Sequence, residues 1–102
     1  MTKDKIISLI QFAKRANDIV YKQTLPIFIK KGQIKLIFVA SDIGSASLKS
    51  VINLNDKSYK ICNLFNKQEL GNILSKDEVA IFGIKNIHIA KQIIKILDEK
   101  EV

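Results

Sequence analysis

The residues that most often carry catalysis or bind metals are scarce in this sequence. Among its 102 residues there is one histidine, His88, and one cysteine, Cys62. Metal sites built from several histidines and cysteines are therefore excluded. His88 falls in the first turn of a predicted helix, where we expect a partly buried structural histidine rather than a catalytic base. Cys62 falls in a predicted strand, where a small buried side chain is the common role.

The remaining candidates for chemistry are acidic pairs and glycines. Asp77-Glu78 and Asp98-Glu99 are adjacent pairs in a predicted loop and tail, and general acid-base catalysis needs groups held together in a cleft. We therefore expect solvated carboxylates there. The four glycines are scattered and begin no phosphate-binding motif: Gly32, Gly44, Gly71 and Gly83. The sequence thus predicts no enzyme, no cofactor and no small-molecule substrate.

The charge of the chain points to a polyanionic partner. Lysine and arginine number 17 against 10 aspartates and glutamates, a formal charge of +7, which favours nucleic acid or an acidic membrane. All bases except Arg15 are lysines, so part of the excess can reflect a lysine-rich composition. The excess lies within residues 1–76. It is densest over residues 14–35, where Asp18 is the acid that faces these bases: Lys14, Arg15, Lys22, Lys30, Lys31 and Lys35.

The cellular setting is predicted from what the sequence does not contain. A single cysteine forms no internal disulfide, which fits a reducing, cytoplasmic setting. The apolar run over residues 6–10 is interrupted by Ser8 and is too short for a signal peptide or a membrane span. We therefore expect no membrane association.

Apolar periodicity predicts alternating helices and strands. In chain order these are a helix over 4–16, a strand over 19–21, a helix between Thr24 and Gly32, a strand over 35–40, a helix from about 48 to 55, a strand over 59–64, a helix from 66 to 74, a strand over 79–84 and a helix from 86 to 97. The continuous apolar run over 35–40 is typical of a central strand. This order predicts one domain over residues 1–102, an α/β fold built as a three-layer α/β/α sandwich around a mixed four-stranded sheet.

Polar residues and glycines mark the predicted helix ends. The expected N-caps are Thr2, Thr24, Asn66 with Glu69 as a capping box, and Asn86. A turn and cap are also expected over residues 42–47. Pro26 fits the first turn of its helix, Gly32 is expected to end that helix, and Gly71 is expected to permit close packing.

The turn Tyr21-Lys22-Gln23-Thr24 is the clearest candidate for a ligand contact. It joins a strand to a helix N-terminus, where free N–H groups and the helix dipole favour a phosphate, and Lys22 adds positive charge. An ordinary cap beside a solvated lysine explains the same residues equally well.

Three segments together resemble the kink-turn-binding ribosomal protein superfamily, nearest its bacterial YlxQ-like branch. They are residues 9–16 (LIQFAKRA), residues 31–40 (KGQIKLIFVA) with Asp42, and residues 69–71 (ELG). The resemblance spans residues 6 to 97. It implies a noncatalytic α/β/α domain that binds structured RNA, typically kink-turns, as a cytoplasmic ribosome-associated protein without a cofactor.

The resemblance also implies the RNA-contacting residues. RNA-binding relatives open the helix after the first strand with a G-x-N-E-x-x-K-like motif. Here Tyr21 takes the place of the glycine, Gln23 and Thr24 take the polar places, and Ile27 takes the place of the lysine. Gln23 and Thr24 still offer hydrogen bonds to base edges and Lys22 offers one to phosphate, whereas the missing lysine removes a phosphate contact.

Two further loops complete the implied contact surface. The second contact loop of the family corresponds to residues 75–78, where Lys76 suits RNA, while Asp77 and Glu78 repel phosphate unless they point away. The turn over 42–49 has Ala46 where YlxQ-like proteins often carry asparagine. The predicted RNA-binding residues are Lys22, Gln23, Thr24 and Lys76, with Lys14, Arg15 and Lys49 as supporting charge.

Two alternatives stay open beside RNA binding. The missing glycine, asparagine and lysine are compatible with a protein-interaction or ribosome-assembly module that keeps the fold but has lost kink-turn recognition. Similar sandwiches also occur fused to RNA methyltransferases as substrate-recognition domains, although this chain leaves no room for a catalytic domain.

Overall fold

Four strands form one mixed sheet in the order β1-β4-β2-β3. The computed structural model describes residues 2–44 and 59–100, without the side chains of Thr2, Glu99 and Lys100. Within these residues the elements are α1 (Thr2–Arg15), β1 (Ile19–Tyr21), α2 (Leu25–Lys30), β2 (Leu36–Val39), β3 (Lys60–Cys62), α3 (Lys67–Ile73), β4 (Ile81–Ile84) and α4 (Ile87–Lys100). The predicted helix of about residues 48–55, and the cap expected at Ser45 and Ser47, lie outside the described residues.

The two central strands, β2 and β4, are buried along their whole length. They pair antiparallel, with Leu36 opposite Ile84 and Val39 opposite Ile81. β1 pairs antiparallel with β4, while β3 runs parallel to β2. The prediction of a mixed four-stranded sheet with a central strand near residues 35–40 is therefore confirmed.

Helices cover both faces of the sheet, as the sandwich prediction requires. On one face, Phe38 and Phe82 stack with ring centroids 4.9 Å apart and pack with the buried residues of α1, α3 and α4. On the other face, Leu25 of α2 packs with Ile37 and Ile81. Alternate residues of β1 and β2 thus enter different cores, because successive side chains in a strand point to opposite faces.

Two of the four predicted N-caps are confirmed. The Asn66 side chain accepts from Glu69 N at 2.8 Å while Glu69 Oε1 accepts from Asn66 N at 3.0 Å, a complete capping box. Asn86 Oδ1 accepts from the backbone N–H groups of His88 and Ile89. The prediction for Thr2 is wrong, because α1 already begins at this residue.

The prediction for Thr24 is correct in position and wrong in mechanism. Thr24 occupies the N-cap position of α2, but its hydroxyl makes no cap hydrogen bond and donates instead to Tyr21 O at 3.4 Å. The other end of α2 behaves as predicted. Gly32 has φ +71° and follows the last helical turn, where its N–H bonds to Ile29 O and that of Gln33 bonds to Phe28 O, a Schellman pattern.

The structure also tests the predictions for Cys62, His88 and Asp98. Cys62 is buried, as predicted, whereas His88 is exposed rather than partly buried, because it lies on the outer side of the first turn of α4. Asp98 is not simply a solvated residue of the tail, since its carboxylate forms an ion pair with Lys60.

The sheet has two ends, and they matter for the site. Because β1 and β2 both run antiparallel to β4, both finish where β4 begins. We call this the Lys22 end, since Lys22 follows β1 there. The opposite end, where β1 and β2 begin and β4 finishes, is the Lys85 end.

Candidate nucleic-acid interface

Two loops meet at the Lys22 end around an open depression of about 460 Å³. One is the turn between β1 and α2, and the other is the segment between α3 and β4. The polar and charged side chains around the depression are Tyr21, Lys22, Gln23, Lys76 and Glu78, and the start of β4 lines the remainder. The structure therefore brings together the two loops that the resemblance implies for RNA contact.

Lys76 and Tyr21 connect the two loops directly. The Lys76 ammonium lies 4.8 Å from the centre of the Tyr21 ring, within the range of a cation–π contact. Tyr21 is half-buried, and this burial raises the pKa of its phenol above the ordinary value. The aromatic ring thus borders the depression, with a cation over it.

The position of Lys76 depends on close packing between its loop and α3. Lys76 N bonds to Gly71 O at 2.7 Å, and Val79 N bonds to Lys67 O at 3.1 Å. A Cβ atom at Gly71 would lie 2.6 Å from Asp77 O and 2.8 Å from Lys76 O. The predicted role of Gly71 in close packing is confirmed, since no larger residue fits beneath this backbone.

The turn between β1 and α2 is compact and exposed. Thr24 N bonds to Tyr21 O at 3.1 Å, which closes the turn. Lys22, Gln23 and Thr24 are all exposed, and the first two border the depression. α2 has only six residues, and Pro26 in its first turn lacks an N–H. The predicted attraction of phosphate by the N-terminus of this helix is therefore weak, and Lys22 supplies the charge.

Glu78 reduces the positive charge of the depression. Glu78 is exposed and borders the same space as Lys22 and Lys76, so its negative charge lies near theirs. Asp77, by contrast, lies with its carbonyl oxygen over Gly71. The depression thus offers donors and an acceptor, which suits recognition of a base edge better than simple attraction of phosphate.

Lys14 and Arg15 are not brought to the depression. They end α1, and Asp18 N bonds to Ala13 O at 2.8 Å where the chain turns into β1. They therefore lie at the Lys85 end, separated from Lys22 by the length of β1. Lys49, the remaining predicted residue, lies outside the described residues.

Sequence reasoning gave no direct role to Tyr21 and treated Glu78 only as a repelling charge. The signal for Tyr21 was present, since an aromatic residue ends a strand immediately before Lys22 and Gln23. Its cation–π contact with Lys76 joins residues 55 positions apart, so no local sequence pattern could predict this contact.

Within residues 2–44 and 59–100, no group of three histidine, cysteine, aspartate or glutamate residues is placed to hold a metal ion. No helix in the same part of the chain is long and apolar enough to cross a membrane.

The fold is shared with a solved structure. A protein of unknown function from Bacillus halodurans superposes with a TM-score of 0.81 at 23% sequence identity, over 92% of this chain and 97% of that one. The likeness shows a common fold. Comparison with family models and with curated protein sequences finds no match.

Proposed function

We propose that this chain is a noncatalytic RNA-binding protein of the kink-turn ribosomal type, with ribosome-associated structured RNA in the cytoplasm as its partner. The observation that supports the proposal best is the meeting of the two expected contact loops around one depression, with Lys22 on one loop and Lys76 on the other. A kinked RNA requires such a surface, because its backbone and its unstacked bases must be held at the same place.

Each polar residue of the depression has a role in this proposal. Lys22 and Lys76 contact phosphates, which hold the RNA in position. Gln23 and Glu78 contact base edges, the first as donor and acceptor and the second as an acceptor for an exocyclic amine. The ring of Tyr21 stacks on an unpaired base once Lys76 moves from the ring to a phosphate. Thr24 lies beside this group and holds the turn through its bond to Tyr21 O.

One observation favours the alternative of a protein-interaction or ribosome-assembly module. Ile27, which stands where RNA-binding relatives carry lysine, is 54% exposed on α2. An exposed isoleucine cannot bind phosphate and suits an apolar contact with a protein. Under this alternative, the chain binds a protein partner through α2 with little dependence on salt and does not prefer kinked RNA.

A titration with three partners tests the proposal. The partners are a kink-turn hairpin, a plain duplex of equal length, and ribosomal particles, each at two salt concentrations. We expect tighter binding to the hairpin or the particles than to the duplex. Equal binding to the hairpin, the particles and the duplex would refute kink-turn recognition and ribosome association, and salt-insensitive binding to a protein partner alone would establish the alternative.

Substitutions locate the site. Lys22→Glu removes one phosphate contact and adds a repulsive charge, so we expect about tenfold weaker binding to every RNA. Gln23→Ala should instead reduce the preference for the hairpin over the duplex. Lys91→Glu, an equal charge change on an exposed residue of α4, is the control and should leave hairpin affinity within about twofold. Equal effects of the Lys22 and Lys91 substitutions would place the site elsewhere.

A further inference from the structure

The densest positive charge of the sequence lies at the opposite end of the molecule from the depression. Lys22 is the only one of the six bases over residues 14–35 that borders the depression. The other five lie where α1 ends, where α2 ends and where β2 begins, all at the Lys85 end: Lys14, Arg15, Lys30, Lys31 and Lys35. Lys85 follows β4 at the same end.

Lys35 and Lys85 are neighbours across two paired strands. The antiparallel register that sets Leu36 opposite Ile84 places Lys35 opposite Lys85 one residue further. Residues directly opposite one another have Cβ atoms roughly 5 Å apart. Alternation along β2 and β4 turns both lysines toward the α2 side of the sheet, because Ile37 and Ile81 face that side. Two like charges therefore stand side by side there.

The end of α2 adds two more lysines to this pair. The Lys85 ammonium lies 5.7 Å from the centre of the Phe28 ring in α2. Phe28 O accepts from Gln33 N in the Schellman turn that closes α2, so Lys30 and Lys31 lie in the same turn. All four lysines are exposed. We call this group, Lys30, Lys31, Lys35 and Lys85, the Lys85 patch.

Asp18 lies beside the patch, since its backbone oxygen accepts from Lys85 N at 3.0 Å, and it offsets one of the four positive charges. Asp18 Oδ2 accepts from Asn86 Nδ2 at 3.0 Å. Asp98 pairs with Lys60, on the face of the sheet opposite α2. Like charges at this density repel one another and destabilise the free protein slightly, and a bound polyanion removes that repulsion.

The chemistry of the patch favours a phosphodiester backbone over a membrane surface. Membrane-binding surfaces combine basic residues with apolar anchors. Of the exposed large apolar residues of the described chain, Phe12, Ile61 and Ile87 lie outside the patch, whereas Ile27 lies one helical turn before Lys30 and Lys31. Four ammonium groups beside a single isoleucine suit phosphates, which lysines contact without reading sequence, better than a bilayer.

We propose that the Lys85 patch is a second RNA-contact surface, which binds the phosphates of a double helix whatever its sequence. The choice of RNA as the polyanion rests on the proposed function, whereas the attraction of a phosphate backbone does not. The molecule measures 33 × 29 × 28 Å, and the two surfaces lie at opposite ends of its sheet. One molecule therefore bridges two RNA segments, a kinked one at the depression and a duplex at the patch.

A charge-matched pair of double variants tests the patch on a plain RNA duplex. Lys35→Gln with Lys85→Gln removes two patch charges, and Lys91→Gln with Lys95→Gln removes two charges from exposed positions of α4. Affinity for the duplex is measured from low to moderate salt. In the patch variant we expect the slope of log affinity against log salt to become shallower by about 2, whereas the control slope changes by less than about 0.5. Equal slopes in the two variants would overturn the proposal.

Bridging is measured separately, with a donor-labelled hairpin and an acceptor-labelled duplex. Wild-type protein should bring the labels together, and the patch variant should bind the hairpin but lose the transfer signal. Absence of transfer with wild-type protein would overturn bridging.

If the hairpin binds no more tightly than the duplex, the proposed function fails, but the salt slopes measured on the duplex still test whether the patch binds phosphates. Vesicles of acidic phospholipid serve as a third probe, and a larger effect of the patch substitutions on vesicles than on duplex would overturn RNA as its ligand.

Discussion

Replacing Gly71 with alanine should displace the loop that carries Lys76 from α3 and destabilise the protein. Gly71 lies in the middle of α3, so alanine would stabilise the isolated helix by about 1 kcal/mol. The new methyl group, however, would lie 2.6 Å from Asp77 O, 2.8 Å from Lys76 O and 2.9 Å from Asp77 C. All three are backbone atoms, so no side-chain rotation relieves the overlap.

The size of the effect follows from these distances. Ordinary contact begins near 3.4 Å, so the loop must move by up to about 0.8 Å. Overpacking of this kind costs about 1–3 kcal/mol. Movement also weakens the bonds of Lys76 N to Gly71 O and of Val79 N to Lys67 O, each worth about 1 kcal/mol. After the gain in helix propensity is subtracted, we expect a net loss of about 1–3 kcal/mol in the free energy of unfolding.

Urea unfolding of Gly71→Ala measures this loss, with Asn72→Ala as the matched control. Asn72 is the exposed next residue of α3, so its substitution should leave stability unchanged or raise it by about 0.5 kcal/mol. Because Lys76 moves with the loop, Gly71→Ala should also weaken hairpin binding. A Gly71→Ala protein as stable as the Asn72→Ala protein would refute the packing argument.

Three further outcomes are expected. Gly32→Ala meets no atom within 4 Å but must hold φ +71°, so it should lose about 1 kcal/mol of stability, and Gly32→Asn less, in urea unfolding. Asn86→Ala removes the N-cap of α4 and the donor to Asp18, with an expected cost of about 1–2 kcal/mol in the same assay. Burial raises the pKa of Tyr21, so above about pH 10 the unfolded chain loses this proton first, and the free energy of unfolding should fall with pH less steeply in Tyr21→Phe than in wild type.

Most of the fold could be predicted from the sequence because the strongest patterns in it are local. β2 and β4 are continuous apolar runs, and the capping box of Asn66 with Glu69 depends on residues three positions apart. The hydrogen-bond partner of the Thr24 hydroxyl could not be predicted, for a physical reason. A threonine hydroxyl has several backbone partners of similar energy within reach, and here the carbonyl of Tyr21 takes precedence over the helix N–H groups.

The two loops around the depression were predictable from the sequence, but the distribution of the basic residues was not. Residues 14–35 form a single basic segment along the chain, which suggests a single basic surface. In the fold, β1 carries the chain to the Lys22 end and α2 carries it back, so Lys22 is separated from Lys14 and from Lys35. Only the strand register, which requires partners far apart in sequence, shows this division.

If the two proposed surfaces bind RNA, the division of charge separates specificity from affinity. At the depression Lys22 and Lys76 stand beside Glu78, so few phosphates are neutralised there, and preference for a kinked RNA depends on hydrogen bonds and stacking that salt hardly screens. Phosphate attraction comes mainly from the Lys85 patch. Raising the salt concentration should therefore weaken binding to the duplex more than binding to the hairpin, so that the ratio of hairpin affinity to duplex affinity rises. A ratio that collapses with salt would mean that the preference itself is electrostatic, and that the depression binds RNA by charge alone.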